Sequence, residues 1–144
     1  MEQTLTVSRI DSAEDLEKAF EIRRTVFVGE QNCPPELEWE NDDVAVHFLA
    51  LYGTAPCGAC RWRQTDQGYK LERFAVLKEY RQMGVGGALV AAALSDLPAD
   101  AAYVYLNAQL EAAGLYARFG FIAEGEQFEE AGIQHVRMVK RSQP

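Results

Sequence analysis

Hydrophobic and polar residues alternate over Thr4–Ile10, the two-residue period of a strand with one covered face. The period then lengthens. Leu16, Ala19, Phe20, Arg23, Val26 and Phe27 recur at helical spacing, and Asp11-Ser12-Ala13-Glu14 ahead of them has the form of a capping box. This helix is expected to end near Gly29. Cys33-Pro34-Pro35 next breaks regular structure. Val44–Tyr52, Cys57–Thr65 and Tyr69–Leu77 read as three strands. Gly53-Thr54-Ala55-Pro56 and Asp66-Gln67-Gly68 are the turns between them, and connections this short make an antiparallel meander.

A glycine-rich loop and a helix reaching about Leu97 follow, and Pro98 ends it. From Gly84 to Leu94 that helix has no charged residue. It is expected to be buried over much of its circumference or to pack on another element or subunit, a homodimer being one such arrangement. Ala102–Asn107 reads as a strand reached through a helical crossover, hence parallel to the strand ending near Leu77. Glu111–Phe119 reads as a short helix with Leu115 and Phe119 facing inward. Phe121–Phe128 and Ile133–Lys140 close the chain as a hairpin. The order predicts an α/β (α+β) fold with a mixed, mostly antiparallel sheet of about six to seven strands and about four flanking helices. The 144 residues are read as one domain, 1–144, with no repeat or low-complexity segment.

Composition supports a folded chain, with 48% apolar and 25% charged residues. The net charge of −8 disfavours nucleic acid, whose phosphates need clustered Lys and Arg, and favours cationic ligands such as amines. Neither a secretion signal nor an apolar run of membrane-spanning length is visible, so a cytoplasmic protein without a membrane partner is expected. Three cysteines, Cys33, Cys57 and Cys60, argue against a disulfide framework. Cys57-Gly58-Ala59-Cys60 falls on a strand, where residues three apart point to opposite faces; two ordinary strand cysteines are a better reading than a redox pair. No metal set is apparent, since only His47 and His135 are on offer as further ligands.

The chemistry concentrates in Arg81-Gln82-Met83-Gly84-Val85-Gly86-Gly87, between a strand and a helix. A helix N-terminus carries unpaired N–H groups and partial positive charge, and glycines let the backbone close around a phosphate. A P-loop is excluded, because Gly84 lacks its partner glycine and no Lys-Ser or Lys-Thr pair follows. A dinucleotide fingerprint fails at position 89, which is Leu. Arg81 and the strand–helix flanks favour a pyrophosphate site over a bare turn.

Arg81-x-x-Gly84-x-Gly86 resembles the acetyl-coenzyme A signature of the GNAT N-acetyltransferases. Phe74-Ala75-Val76, Asn107 and Leu115-Tyr116-Ala117-Arg118-Phe119-Gly120-Phe121 are similar to that family's splayed fourth strand, the end of its next strand and its later helix end. Arg23–Gln31, Glu40–Asp43, His47 and Gly132–His135 with Met138 resemble the ElaA-like branch. The resemblance implies a GNAT-like sheet whose parallel pair splays. It implies acetyl-coenzyme A as co-substrate, met by Phe74, Ala75, Val76, Arg81, Gln82, Met83, Gly84, Val85, Gly86, Gly87 and Asn107. It implies acetyl transfer to a primary amine by direct attack, with Tyr116 protonating the leaving thiolate.

For the base that deprotonates the amine, Glu72 is one candidate, because strand periodicity puts it on the face of Phe74 and Val76. A salt bridge with Arg73 or Arg61 is its structural alternative, and His47 and His135 are further candidates. The acidic stretch Glu36, Glu38, Glu40, Asp42 and Asp43, with Trp39 inside it, is expected either to be a solvated loop or to wall a cleft for a cationic amine. A non-catalytic acyl-coenzyme A sensor is the alternative function; it would keep the glycine loop without needing Tyr116.

Overall fold

The computed structural model describes residues 4–33 and 41–141. Seven strands form one sheet: β1 (Leu5–Arg9), β2 (Val46–Tyr52), β3 (Ala55–Thr65), β4 (Gly68–Val76), β5 (Tyr103–Gln109), β6 (Ile122–Glu130) and β7 (Ile133–Arg141). Their spatial order is β1-β2-β3-β4-β5-β7-β6, and only β4 and β5 run parallel. Three α-helices accompany them among the described residues: α1 (Ala13–Arg23), α2 (Val85–Asp96) and α3 (Ala113–Ala117). A π-helical segment, Arg24–Glu30, continues α1.

The strands match the hydrophobic pattern closely, and the differences have local causes. Ser12, not Asp11, caps α1; its hydroxyl accepts the Asp15 N–H at 3.2 Å. Two adjacent residues could serve as cap, and the one in extended conformation does. Val44 leaves the second strand for a 3₁₀ turn, Asp42–Val44. The helix expected over Glu111–Phe119 is a 3₁₀ turn, Leu110–Ala112, followed by the short α3. Its most buried residue is Tyr116, with Leu115 and Phe119 only partly covered.

Two buried clusters lie on opposite faces of the sheet. On one face α2 places Val85, Leu89, Val90 and Ala93 against Phe48, Leu71, Val104 and Leu106. On the other, Ala19 and Ile22 of α1 and Val26 and Phe27 of the π-helical segment cover Leu49, Ala59 and Ala75. The uncharged α2 thus finds its cover within the chain. Its close seat depends on Gly58, where a Cβ would come within 2.8 Å of the Val85 side chain.

Strand periodicity fails at two bulges. In the β2–β3 ladder, Ala50 faces Gly58 and Leu51 faces Pro56, so Cys57 is an extra residue. Cys57 and Cys60 therefore share the α2-side cluster instead of pointing to opposite faces. Their thiols reach the carbonyls of Ala50 and Leu89 respectively. In the β3–β4 ladder, Ala59 faces Ala75 and Arg61 faces Glu72, so Arg73 and Phe74 together oppose Cys60. Arg73 sits in the left-handed region at φ 58°. That bulge swaps the faces of everything beyond it. Phe74 packs with the α2 cluster beside Tyr116, while Glu72 is on the α1 side. The expectation that Glu72 shares a face with Phe74 and Val76 is thereby corrected.

Candidate active site

The parallel contact between β4 and β5 lasts only two residue pairs, Tyr69–Val104 and Lys70–Tyr105. Beyond them the strands diverge, as the family resemblance implied. β5 turns to β7, pairing through Gln109–His135, and β4 stays with β3. Leu77 N–H donates to the Cys57 carbonyl, so by strand alternation the main-chain groups of Val76 point away from β3, into the gap. A cleft of about 230 Å³ opens there. It is lined by Glu72, Phe74, Asn107 and Tyr116 from the expected set, joined by His135 and Glu130 of the last hairpin, Phe27 of the π-helical segment and Gln31 just after it. π-Helical segments concentrate at functional sites, and this one aims its side chains into the gap.

The two sides of the cleft differ in chemistry. From the α2 side comes Tyr116, 6% exposed, its ring edge-on to Phe74 with centroids 5.5 Å apart. Burial, with Cys60 adding to it, pushes its hydroxyl well above the ordinary phenol range, so it stays protonated. On the α1 side is a polar network. Arg61, 1% exposed, donates to Glu72 from its Nε at 2.7 Å and to Asp42, and Asp42 also meets Arg23 at 2.8 Å. Arg63 Nε reaches the same Glu72 carboxylate at 3.1 Å, and Lys70 Nζ at 3.4 Å. Burial raises the Glu72 pKa, but Arg61, Lys70 and Arg63 together outweigh it and hold the carboxyl below its usual range. Glu72 is thus the salt-bridge partner of Arg61, a weak proton acceptor in these surroundings.

His135 is differently placed. Its Nδ1 lies 2.7 Å from the Ile133 carbonyl, which only accepts, so Nδ1 carries the proton and Nε2 is the acceptor of the neutral ring. Nε2 is 3.6 Å from Glu130 Oε2. His47 lies outside the cleft lining, with Nε2 3.0 Å from the Asp42 carbonyl and its ring edge-on to Phe20. Burial lowers its pKa against the pull of Asp42.

The glycine loop forms as expected. Gln82 and Gly84 adopt positive φ, 65° and 84°, and Gly84 caps α2, which begins at Val85. A Cβ at Gly84 would meet nothing within 4 Å, leaving its outer side open, and one at Gly86 would approach Leu115 at 3.1 Å. Met83 is exposed beside it. Arg81 turns elsewhere: its Nε donates to the Val76 carbonyl at 3.0 Å and its NH2 to Glu30 at 2.9 Å. It ties the loop to the end of β4 and to the π-helical segment. Asn107 presents a buried Oδ1 with no hydrogen-bond partner among the described residues. An orphaned acceptor, inward-facing strand groups and an open helix start fit an extended amide-bearing chain that ends in a pyrophosphate.

A family model for the acetyltransferase (GNAT) domain matches residues 12–142. The chain belongs to the GNAT acetyltransferase family. YjcF of Bacillus subtilis (strain 168), named an uncharacterized N-acetyltransferase, is 41% identical over 131 residues, covering 88% of this chain and 93% of the relative. Among solved structures, ElaA of Escherichia coli has a TM-score of 0.81 at 28% identity, over 96% of this chain and 99% of that one. An acyl-CoA N-acyltransferase from Pseudomonas aeruginosa gives the same TM-score and coverage at 26% identity. The chain is accordingly an acetyl-coenzyme A-dependent acetyltransferase of the GNAT fold. No helix among the described residues is long and apolar enough to cross a membrane.

Sequence reasoning missed the Arg23–Asp42–Arg61–Glu72 network, although Arg23 at an inward helical position was its visible trace. It read Glu36–Asp43 as either a solvated loop or one wall of an amine cleft. Glu36, Glu38, Glu40 and Trp39 lie outside the described residues, and Asp42 is taken up by Arg23 and Arg61. The described cleft lining has Arg61, Arg63, Lys70 and Arg73 against Glu72 and Glu130.

The Glu72 ion pairs make a stability prediction. Its folded pKa lies below its unfolded value, so its contribution is complete above the unfolded value and is lost as pH falls through the folded one. Glu72→Gln leaves three cations facing a neutral amide and is expected to cost about 3 kcal/mol near pH 7. Between about pH 5 and about pH 3 the variant should lose less stability than the parent. Urea midpoints across that range check it; parallel pH profiles would show that Glu72 gains nothing from its cations.

Proposed function

We propose that the cleft transfers an acetyl group from acetyl-coenzyme A to a primary amine by direct attack, without a covalent enzyme intermediate. The observation that carries this is the meeting, at one gap in the sheet, of a buried Tyr116 from one face and the His135 acceptor nitrogen from the other. In this reading the Gln82–Gly87 backbone holds the pyrophosphate at the start of α2. Main-chain groups of Phe74, with Asn107 Oδ1, pair with the amides of the extended arm. Arg81 takes up the Val76 carbonyl, which leaves the Val76 N–H to face the thioester oxygen as charge develops on it.

Attack needs a neutral amine. Glu72 is held by three cations, so the proton passes to His135 Nε2, where Glu130 stands ready to stabilise the charged ring. Collapse then expels a thiolate into the apolar pocket formed by Phe74, Leu106 and Tyr116. A thiolate there is poorly solvated and takes a proton readily. Tyr116 supplies it; no described residue hydrogen-bonds the hydroxyl. Burial keeps the phenol protonated until that moment.

Three variants separate these roles. Gly84→Asn keeps a residue that tolerates positive φ and should retain much of the acetyl-coenzyme A affinity, whereas Gly84→Asp adds a negative charge beside the pyrophosphate and should abolish it. Isothermal titration reads both, and equal affinities would remove the pyrophosphate from this loop. Tyr116→Phe should keep cofactor affinity and lower kcat and kcat/KM alike by ~10²–10⁴-fold. His135→Ala should lower kcat over a similar ~10²–10⁴-fold range, with partial recovery on adding imidazole. Thiol release from acetyl-coenzyme A measures each rate. Near-parental turnover in either variant returns that residue to a packing role.

A further inference from the structure

Among the described residues, the α1 side of the cleft has more positive charge than its carboxylates match, and the mismatch has an address. On β3 and β4, Arg61 faces Glu72 and Arg63 faces Lys70 as cross-strand partners, so four ionic side chains share one patch of sheet. Asp42 is committed to Arg23 and Arg61. Glu72 alone then meets Arg61, Arg63 and Lys70. Arg61 is fully buried and already bonded from several nitrogens. Arg63 uses only its Nε–H on Glu72, and Lys70 makes a single contact at 3.4 Å. Both line the cleft and keep part of their surface open to it, with side chains 21% and 17% exposed. A partly buried guanidinium edge and ammonium that share one carboxylate attract a further anion.

We propose that the amine acceptor is a small molecule that itself carries an anionic group, seated on Arg63 and Lys70. This rests on the acetyl-transfer reading and names its substrate class. It replaces the expectation of a purely cationic amine, which came from the charge of the whole chain and not from that of the cleft.

The spacing suits a compact molecule. Glu72, where the cations converge, and Phe74, which packs on Tyr116, are separated by Arg73 alone and line the same cleft. An anion on Arg63 and Lys70 therefore leaves room for an amine a few bonds away to reach the gap between β4 and β5. The lining polar groups Asn41, Gln31 and Gln109 are neutral and suited to orienting the rest of such a molecule. The anion does no chemistry. It contributes uniform binding, so its loss should appear mainly in KM.

The test is a set of matched amines assayed by thiol release from acetyl-coenzyme A. Glycine, β-alanine and γ-aminobutyrate are each compared with their amides, and O-phosphoethanolamine with ethanolamine. The anionic member of at least one pair should win in kcat/KM by about 10- to 100-fold, the worth of one charge-assisted contact. Which anion wins separates carboxylate from phosphate. Arg63→Gln and Lys70→Gln should each shrink that ratio severalfold through KM, with acetyl-coenzyme A affinity and melting temperature as folding controls. Acetylation of the neutral members as fast as the anionic ones overturns the proposal while leaving the amine-transfer reading intact. An unchanged preference in both folded variants overturns the seat. If acetyl-coenzyme A binds and no member of the set is acetylated, the amine-transfer reading fails and this proposal with it.

Discussion

The site depends on a sheet that stops pairing in its middle. β4 and β5 share two residue pairs and then part, because β4 is bulged at Arg73 and Phe74 and follows β3, while β5 follows β7. A bulge raises local twist and bends its strand. Left-handed backbone at a non-glycine residue costs of order 1–3 kcal/mol, so the neighbours of Arg73 must hold it there. They do so from both faces: Leu71 and Phe74 are packed under α2 and α3, and Ala75 under α1. The strain sits where a continuous sheet would have closed the cleft.

The same bulge decides which side chains meet the gap. Without it, Glu72 and Phe74 would share a face, and acid–base groups and thiolate pocket would crowd one side of the sheet. With it, the apolar Tyr116–Phe74 pocket lies on the α2 face and the charged network on the α1 face. The two chemistries need opposite surroundings. A thiolate acceptor of protons works best against a dry phenol, while an ionic acceptor molecule needs charged partners and solvent access. A splayed parallel pair is a way to give both in one fold, since the gap opens to residues from both faces of the sheet.

Periodicity and turn chemistry carried most of the architecture. The glycine loop was legible because positive φ at Gly84 and a helix start at Val85 leave a residue-type signature. The meander, the parallel pair and the closing hairpin were legible because short turns and one crossover leave few topologies, whereas the seat of β7 beside β5 was not read from the sequence. The bulges were not, since Cys57 and Arg73 have no composition cue and each shifts a period by one residue. Every error about faces, the divergent thiols and the side occupied by Glu72, follows from those two positions. The intrachain partners of Arg81 were hidden for another reason. A guanidinium next to a phosphate motif suggests the phosphate, yet its reach also covers Glu30, which lies far away in sequence.

Net charge does not describe the cleft, for the same long-range reason. The chain's −8 is a sum over its surface, whereas the cleft is built where β3 and β4 put Arg61, Arg63, Lys70 and Glu72 side by side. Cross-strand register, which no single strand reveals, concentrates these charges. Within a Debye length of about 8 Å such neighbours govern what binds, and distant acidic residues are screened. Local register outweighs global charge here. In the proposed reading, an acceptor drawn by the acidic exterior would still meet Arg61, Arg63 and Lys70 around Glu72, and their register sets the local field it meets.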